Sequence, residues 1–307
     1  MERIAVLCGG VGAARFLAGL VDAVDPAQVT AIVNVADDDE FHGLHISPDI
    51  DTVLYTLGGL VHEEQGWGRR DETFTTQTEL ARLGEDSWFR LGDKDLAMHI
   101  HRTRLLAEGR SLTEIVDGTR RALGIGASVL PATDMRQRTR VRTDAGWIDF
   151  QEYFVRRRTA DDVRELRFEP DARPTDRVRA AMAEADIIVI APSNPFVSIG
   201  PILSLSGMRD DLHGARATVV AVSPIVGGAA IKGPAAAMLA AFGHEVSALG
   251  VARLYANIVD AFVLDSADAD LAPAITALGL ATTVVPTIMR DQATRTALAR
   301  ATIAAAR

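Results

Sequence analysis

The sequence predicts an α/β protein with a doubly wound, mostly parallel sheet and an inserted α+β cap. Short apolar runs alternate with helix-compatible stretches near both ends of the chain, a pattern typical of parallel strands joined by crossover helices. A glycine turn follows the first apolar run. Between the two ends the sequence changes to charged helices and an alternating, aromatic stretch. We therefore expect residues 1–60 and 175–307 to form a nucleotide-binding core and residues 61–174 to form the cap.

The expected elements of the core follow from runs of core-strand length and from helical periodicity. The predicted strands are residues 4–7, 30–35, 187–191, 217–222, 261–264 and 283–285. The predicted helices are residues 12–24, 175–185, 234–242, 271–278 and 291–306. In the cap, Ser111 and Glu114 predict a capping box, Gly124 a helix end, and residues 144–146 a turn between two strands.

Composition narrows the class of function. The 307 residues carry a formal net charge of −9, which argues against a nucleic-acid surface because such surfaces need dense Lys and Arg patches. The apolar runs are far shorter than the roughly 20 residues of a bilayer helix. The stretch after Met1 lacks the apolar region of a secretory signal, and Cys8 is the single cysteine. We expect a cytoplasmic protein that binds small molecules rather than a membrane or nucleic acid.

Gly9, Gly10, Val11 and Gly12 form the turn after the first predicted strand. Such a turn lets backbone N–H groups and a helix N-terminus approach a phosphate. A glycine turn between the first strand and the first helix is typical of a Rossmann-like core. In this sequence, however, Arg15 stands where a dinucleotide fingerprint has its third glycine. The alternative is that these glycines only make a tight strand-to-helix turn.

An acidic segment follows the second predicted strand, and it contains Asp37 and, further on, Asp49 and Asp51. Ligands gather at the carboxyl ends of parallel strands, so carboxylates there would repel a phosphate unless Mg²⁺ lies between them. We predict that Asp37 and Asp49 bind Mg²⁺. The alternatives are a solvated acidic loop and, for Asp51, a role in capping the next helix. We expect Asp49 to be exposed, so Asp49→Asn should abolish most turnover and leave the fold intact.

Two later loops supply further groups for a nucleotide. Ser193 and Asn194 lie between prolines after a predicted strand, where stiff polar loops favour recognition at low entropic cost. The loop after the next strand contains a candidate set of polar and glycine residues: Ser223, Gly227, Gly228 and Lys232. It lacks the residue order of a Walker A loop, and a lone lysine such as Lys232 is often only surface charge.

Read together, these motifs resemble the 2-phospho-L-lactate transferase (CofD/FbiA) family, and the resemblance spans nearly the whole chain. The segments that carry it are residues 9–12, 34–39, 47–57, 90–95, 150–154, 191–203 and 223–234.

The resemblance implies transfer of a phosphate bearing a lactyl or enolpyruvyl group from a guanosine diphosphate conjugate to the ribityl hydroxyl of the deazaflavin Fo. GMP is released, and the product belongs to coenzyme F420 biosynthesis. Asp49 and Arg90 look like Fo-binding residues, Asp37 and Asp49 like the magnesium side, and the glycine and Pro-Ser-Asn-Pro loops like the guanosine diphosphate site. A homodimer is also what the family suggests.

The mechanism that we expect is in-line phosphoryl transfer dominated by positioning and charge neutralisation. Asp49 or Asp51 would accept the hydroxyl proton, while Arg90 follows an aromatic pair, Trp88 and Phe89, able to cover a planar ring. Two alternatives stay open. One is a non-catalytic nucleotide-binding regulator similar to the gluconeogenesis-factor branch, and the other is a nicotinamide-dependent dehydrogenase with Asp37 on a ribose.

Overall fold

The structure is a computed structural model that describes residues 2–307. Its strands are β1 (Ile4–Cys8), β2 (Val29–Val33), β3 (Asp39–Phe41), β4 (Leu44–Ile46), β5 (Ser128–Pro131), β6 (Arg138–Thr143), β7 (Gly146–Asp149), β8 (Glu165–Glu169), β9 (Ile187–Ile190), β10 (Thr218–Val222), β11 (Ile225–Val226), β12 (Ala229–Ala230), β13 (Ala261–Leu264) and β14 (Ala281–Val284).

The α-helices are α1 (Gly10–Ala23), α2 (Pro48–Leu57), α3 (Thr75–Arg82), α4 (Asp93–Ala107), α5 (Leu112–Ala122), α6 (Asp176–Ala183), α7 (Ile199–Ser204), α8 (Met208–His213), α9 (Ala235–Ala241), α10 (Ala248–Tyr255), α11 (Ala272–Thr276) and α12 (Gln292–Ala305). Short 3₁₀-helices span Pro26–Gln28 and Ser266–Leu271, and a π-helix spans Glu152–Arg156. Across residues 2–307, no helix is both long and apolar enough to cross a membrane.

The central sheet of the described chain has seven strands in the order β14-β13-β10-β9-β1-β2-β5. Every pairing in it is parallel. Chain order runs outward from β1 in one direction through β2 and β5, and outward from β9 in the other direction, so the connections reverse between β1 and β9. This confirms the doubly wound α/β fold.

The inner strands of the sheet, such as β1, β9 and β13, are buried on both faces, which explains why they read as continuous apolar runs. Successive side chains of β1 alternate between the two layers. Ile4 and Val6 pack with side chains of α1, α2 and α12, whereas Ala5 and Leu7 pack with side chains of α6, α7, α9 and α10.

The six predicted core strands and five predicted core helices are all present, with ends displaced by two residues at most. The capping box of Ser111 with Glu114 is confirmed, and so is the turn that joins β6 to β7. β6 also pairs with β8, which makes a small antiparallel sheet in the cap. The limits of the cap stay a prediction, although β5 lies inside residues 61–174 and pairs with β2 of the central sheet.

Helices α1 and α12 approach closely at Gly19. A Cβ on Gly19 would lie 2.3 Å from the backbone carbonyl carbon and oxygen of Arg295. No side-chain rotation can relieve a clash with backbone, so we expect Gly19→Ala to cost about 1–3 kcal/mol by overpacking. This should outweigh the roughly 1 kcal/mol gained because alanine favours helix over glycine.

The matched control is Gly118→Ala in α5. Gly118 is exposed, and an added Cβ meets none of the described atoms within 4 Å. This variant should gain about 0.5–1 kcal/mol. Urea unfolding of both variants checks the pair, and an unchanged or raised midpoint for Gly19→Ala would contradict the packing argument.

Candidate active site

The polar segments predicted from the sequence meet at the point where the sheet connections reverse. The turn at Gly9 follows β1, the acidic segment follows β2, and the Ser193 loop follows β9. β1 lies between β2 and β9, so the carboxyl ends of these three strands are adjacent. Crevices at such a reversal are where open α/β sheets bind ligands.

The glycine turn is shaped by close approaches that a side chain would block. A Cβ on Gly12 would lie 2.4 Å from the carbonyl oxygen of Pro192, and one on Gly9 would lie 2.6 Å from Asp49 Oδ2. Gly10 has a φ of 74°, in the region that favours glycine. These residues therefore let the Ser193 loop and Asp49 come up against the start of α1, a packing role that the sequence did not indicate.

Asp49 lies in the first turn of α2 and points at the glycine turn. The Gly10 N–H donates to Asp49 Oδ1 at 2.8 Å, and Asn34 Nδ2 donates to Asp49 Oδ2 at 3.0 Å. Asn34 is itself fixed, because its Oδ1 accepts from the Ala36 N–H and its amide also donates to Val197 O. Asp49 is only 7% exposed, so the expectation of an exposed carboxylate was wrong.

Burial raises the pKa of Asp49 from its usual 3.8 to about 6, although the hydrogen bonds from Asn34 and Gly10 oppose the shift and the negative charge of Asp38 adds to it. Burial also raises the pKa of Asp37 well above its usual range, with the charges of Asp49 and Asp38 next in importance. The structure thus brings together Asp37 and Asp49, the two predicted magnesium ligands, close enough for one charge to act on the other.

Asp37 is held in place by the cap. Gln151 Nε2 donates to the Asp37 carbonyl oxygen at 2.9 Å, and Thr139 Oγ1 donates to Asp37 Oδ1 at 3.4 Å. The Thr139 N–H also donates to the carbonyl oxygen of Ala36. The cap sheet therefore fixes the loop that follows β2. Nothing in the sequence pattern indicates these roles for Thr139 and Gln151, although Gln151 lies within the segment 150–154.

The carboxylates of Asp37 and Asp49 suit a hard cation. They are oxygen donors, they are buried, and they repel one another. Residues 2–307 contain no group of three or more His, Cys, Asp or Glu side chains arranged to hold a metal. Two protein carboxylates leave positions for water and substrate phosphates, which is how Mg²⁺ is commonly bound.

Asp38 was not predicted as a site residue. Ser47 Oγ donates to Asp38 Oδ2 at 2.7 Å, and His45 Nε2 lies 3.0 Å from the same oxygen. The other oxygen, Oδ1, is buried and has no hydrogen-bond partner within the described chain. Burial raises the pKa of Asp38.

Asp51 contacts the cap. Both of its carboxylate oxygens contact the guanidinium of Arg102, and both side chains are buried. This ion pair occupies the oxygens that a proton acceptor would offer to a substrate hydroxyl. The structure therefore gives Asp51 a role in joining α2 to the cap.

Ser193 and Asn194 differ in what they offer a ligand. Ser193 Oγ is buried and lacks a hydrogen-bond partner among residues 2–307, so its hydrogen-bonding capacity is not used by the described residues. Asn194 Oδ1 accepts from the Phe196 N–H at 2.9 Å. Asn194 is therefore used in shaping its own loop.

The loop after β10 is shaped by local bonds and reaches over α1. Ser223 Oγ bonds to the backbone of Ile225, and the Gly227 N–H donates to the carboxylate of Asp268. Gly227 and Gly228 have φ values of 58° and 74°. Lys232 Nζ donates to the carbonyl oxygen of Gln65 at 2.8 Å.

Arg15 joins Lys232 at this edge of the crevice. Burial, followed by the charge of Arg15, lowers the pKa of Lys232, and Arg15 Nη2 donates to the Glu63 carbonyl oxygen. A Cβ on Gly66 would lie 2.5 Å from Val11, so the segment 63–66 lies against the first turn of α1. Two cations beside a helix N-terminus suit an anion such as a diphosphate. In the sequence, Arg15 stands out only because it replaces the third glycine of a dinucleotide fingerprint.

Arg90 lines a different cavity, in the cap. This cavity has a volume of about 570 Å³, and its lining residues are Phe74, Gln77, Thr78, Ala81, Arg82, Ser87 and Arg90. The Arg90 guanidinium lies 4.1 Å from the centre of the Phe74 ring. The predicted aromatic cover is partly occupied, because Phe89 stacks on Phe41 at 4.1 Å and Trp88 meets Phe41 edge-on.

The raised pKa of Asp49 predicts a pH dependence of stability. The native carboxyl keeps its proton up to about pH 6, whereas an unfolded aspartate releases it near pH 4. The native state thus binds more protons between these values, so the free energy of unfolding falls as pH rises from about 4 to about 6. The full effect is on the order of 3 kcal/mol.

The measurement is urea unfolding in metal-free buffer at several pH values, for the natural chain and for Asp49→Asn. The contribution of Asp49 is the difference between the two proteins in the slope of unfolding free energy against pH. Asp49→Asn should remove much of the decline between pH 4 and 6. Parallel profiles for the two proteins would show that Asp49 titrates normally.

Comparison with known proteins agrees with these observations. The family model described as "2-phospho-L-lactate transferase CofD" matches residues 4–280. A phosphoenolpyruvate transferase of Kitasatospora aureofaciens is 43% identical, over 99% of this chain and 98% of that protein. A 2-phospho-L-lactate transferase of Methanocaldococcus jannaschii is 40% identical, over 94% of each chain.

Among solved structures, a Bacillus halodurans protein of the UPF0052 family (BH3568) superposes with a TM-score of 0.64 at 16% identity, and the alignment covers 98% of both chains. That likeness extends to the fold alone. The family match and the two relatives cover nearly the whole sequence, including the residues that follow β1, β2 and β9. The chain belongs to the CofD family of 2-phospho-L-lactate transferases.

Proposed function

We propose that this transferase moves a phospholactyl or phosphoenolpyruvyl group from a guanosine diphosphate conjugate to the ribityl hydroxyl of Fo, with release of GMP. The observation that carries the proposal is the buried pair Asp37 and Asp49 at the sheet reversal, directly beside the glycine turn. Coenzyme F420 biosynthesis is the pathway that family membership supports. The cytoplasmic location and the homodimer stay predictions.

Asp37 and Asp49 would hold Mg²⁺. When bound, the ion would neutralise charge on the transferring phosphate. Without a cation, a phosphate placed beside these two carboxylates would be repelled. Burial is the main cause of the raised pKa of both carboxyls, and the charge of Asp49 adds to the shift of Asp37, which supports a cation beside them.

The chain's own residues would hold the donor from two sides. The first turn of α1, Arg15 and Lys232 would favour the diphosphate, and the Ser193 hydroxyl, which has no partner among residues 2–307, would make a further polar contact. Most of the catalysis would come from positioning the acceptor hydroxyl in line with the bond to be broken.

In the reaction, the acceptor oxygen attacks the phosphorus that bears the acyl group, and the bond from that phosphorus to the bridging oxygen breaks. GMP leaves with the bridging oxygen. The hydroxyl proton passes to Asp49, whose carboxylate lies against the glycine turn, where it would act as general base. Asp51 is left out of this step because Arg102 occupies its carboxylate. GMP is a good leaving group, so no general acid is assigned.

The test is GMP release from Fo and either donor, with and without Mg²⁺. We expect turnover only when Mg²⁺ is present. Asp37→Asn should lower turnover by at least about tenfold, a loss of 1.4 kcal/mol of transition-state stabilisation, and added Mg²⁺ should partly restore it if metal binding alone is weakened.

Glu40→Gln is the matched control, because Glu40 is exposed and lies in the same acidic segment. It should leave turnover unchanged. Nucleotide binding without release of GMP from either donor would overturn the proposal in favour of a regulator. Supplying both donors in parallel also identifies the acyl group.

We expect the core to bind the donor and the cap to bind the acceptor. If the cap cavity beside Phe74 binds the acceptor, Arg90→Ala should raise the KM for Fo about tenfold and leave kcat and the donor KM unchanged, as loss of uniform binding does. Steady-state titrations of Fo at saturating donor, and the reverse, measure this.

Arg104→Ala serves as the control, because Arg104 is an exposed arginine on cap helix α4. It should change neither KM. Equal weakening of donor and acceptor by Arg90→Ala, or unchanged Fo kinetics, would contradict the assignment of the cap cavity to Fo.

A further inference from the structure

Helices α2 and α4 meet along a line of buried or partly buried polar side chains, which we call the α2–α4 seam. From α2 it contains Asp51 and Tyr55, and from α4 it contains Asp95, His99 and Arg102. The spacings are four residues on α2, and four then three on α4, so each set lies on one face of its helix. The seam joins the core to the cap.

Its two ends are closed by specific bonds. At one end Arg102 contacts both oxygens of Asp51, with Nη1 to Oδ2 at 3.1 Å, and the same Nη1 donates to the His45 carbonyl oxygen at 3.3 Å. At the other end Tyr55 Oη donates to Asp95 Oδ1 at 2.6 Å. The start of α2 thus meets the end of α4, and the end of α2 meets the start of α4.

Joining two helices in this way carries a desolvation cost, because charged groups are removed from water. Arg102 is 1% exposed, and a buried ion pair seldom stabilises a fold more than apolar residues of similar volume would. Burial lowers the pKa of His99 to about 4, so His99 is neutral at pH 7 and leaves Arg102 as the cation facing Asp51. What such a pair does supply is a fixed register, because sliding either helix would leave a buried charge unpaired.

The register matters because Asp49 lies one turn or less from Asp51 on the same helix. The opposite face of α2 packs through Ile50, Val53 and Leu54, and apolar contacts of this kind are non-directional. The Asp49 carboxylate must meet the Gly10 N–H at 2.8 Å and the Asn34 amide at 3.0 Å. A small rotation of α2 would break both bonds while leaving the apolar contacts largely intact.

We propose that Arg102 is a positioning residue, which acts through Asp51 to hold α2 in the register that places Asp49 against Gly10 and Asn34. The kinetic part of this inference rests on the proposed transferase function. Arg102 touches neither substrate in this scheme. Its removal should therefore lower kcat and leave both KM values nearly unchanged.

The decisive variant is the double substitution Asp51→Leu with Arg102→Met. It replaces the ion pair by apolar side chains and leaves no buried charge unpaired, so its melting temperature should stay close to that of the natural chain. We expect its kcat to fall at least about tenfold all the same. If kcat is retained together with the melting temperature, the seam is only structural and the proposal fails.

A second measurement does not depend on activity. The Gly10 N–H is bonded to Asp49 rather than within a helix, so its hydrogen-exchange rate, followed by NMR, reports on the position of Asp49. The double variant should exchange this proton at least about tenfold faster. Unchanged Gly10 exchange would overturn the proposal even if the enzyme assay failed for other reasons, and absence of GMP release by the natural chain would count against the proposed function alone.

Arg102→Lys covers the case in which the double variant does not fold. It keeps the charge and leaves Asp51 in place, but lysine cannot bond both Asp51 oxygens and His45 in the arginine geometry. It should show a lower kcat and faster Gly10 exchange than Arg104→Met, an exposed control on the same helix. Equal behaviour of Arg102→Lys and Arg104→Met would refute the positioning role.

Discussion

Desolvation of the carboxylate of Asp49 is the constraint on which the rest of the site depends. Two hydrogen bonds, from the Gly10 N–H and the Asn34 amide, recover part of the cost of removing the charge from water. The remainder appears as a raised pKa, because the neutral form is favoured when a buried charge lacks a cation. The close approach at Gly9, the fixed Asn34 and the buried α2 all follow from the need to hold this one group in place.

The cap contributes to the core site through side chains that bond to both backbone and side-chain groups of the core. Gln151 and Thr139 bond to the loop that carries Asp37, and Arg102 bonds to Asp51 and to the carbonyl oxygen of His45. The acidic segment is therefore held on one side by the strand end of β2 and on the other by the inserted residues. Separating the cap from the core would remove the support for both proposed metal ligands at once.

The sequence predicted the sheet well because a strand covered on both faces has an unbroken apolar run. β5 was missed since it is a short run, Ser-Val-Leu-Pro, inside a charged region that otherwise forms the cap. The glycine turn, Asp37 and Asp49 were placed together correctly by strand order alone. Their burial was not predicted, because charged residues usually face water. The spacing of Asp95, His99 and Arg102 was a signal that one face of α4 is polar, but only the structure shows that this face is covered by α2.

The two halves of the sheet supply different chemistry to the crevice. The segment after β2 supplies the carboxylates, which can bind a cation and accept a proton. The loops after β9 and β10 supply the Ser193 hydroxyl together with glycine and proline residues, and they suit an uncharged or anionic ligand. The first turn of α1, at the centre, touches both sets: Gly10 bonds to Asp49, and Gly12 packs against Pro192. A ligand bound at this turn therefore lies between an acidic wall and a wall that carries Lys232. That asymmetry supports the proposed transfer, in which the acceptor hydroxyl would lose a proton on the acidic side and the nucleotide would be held on the other.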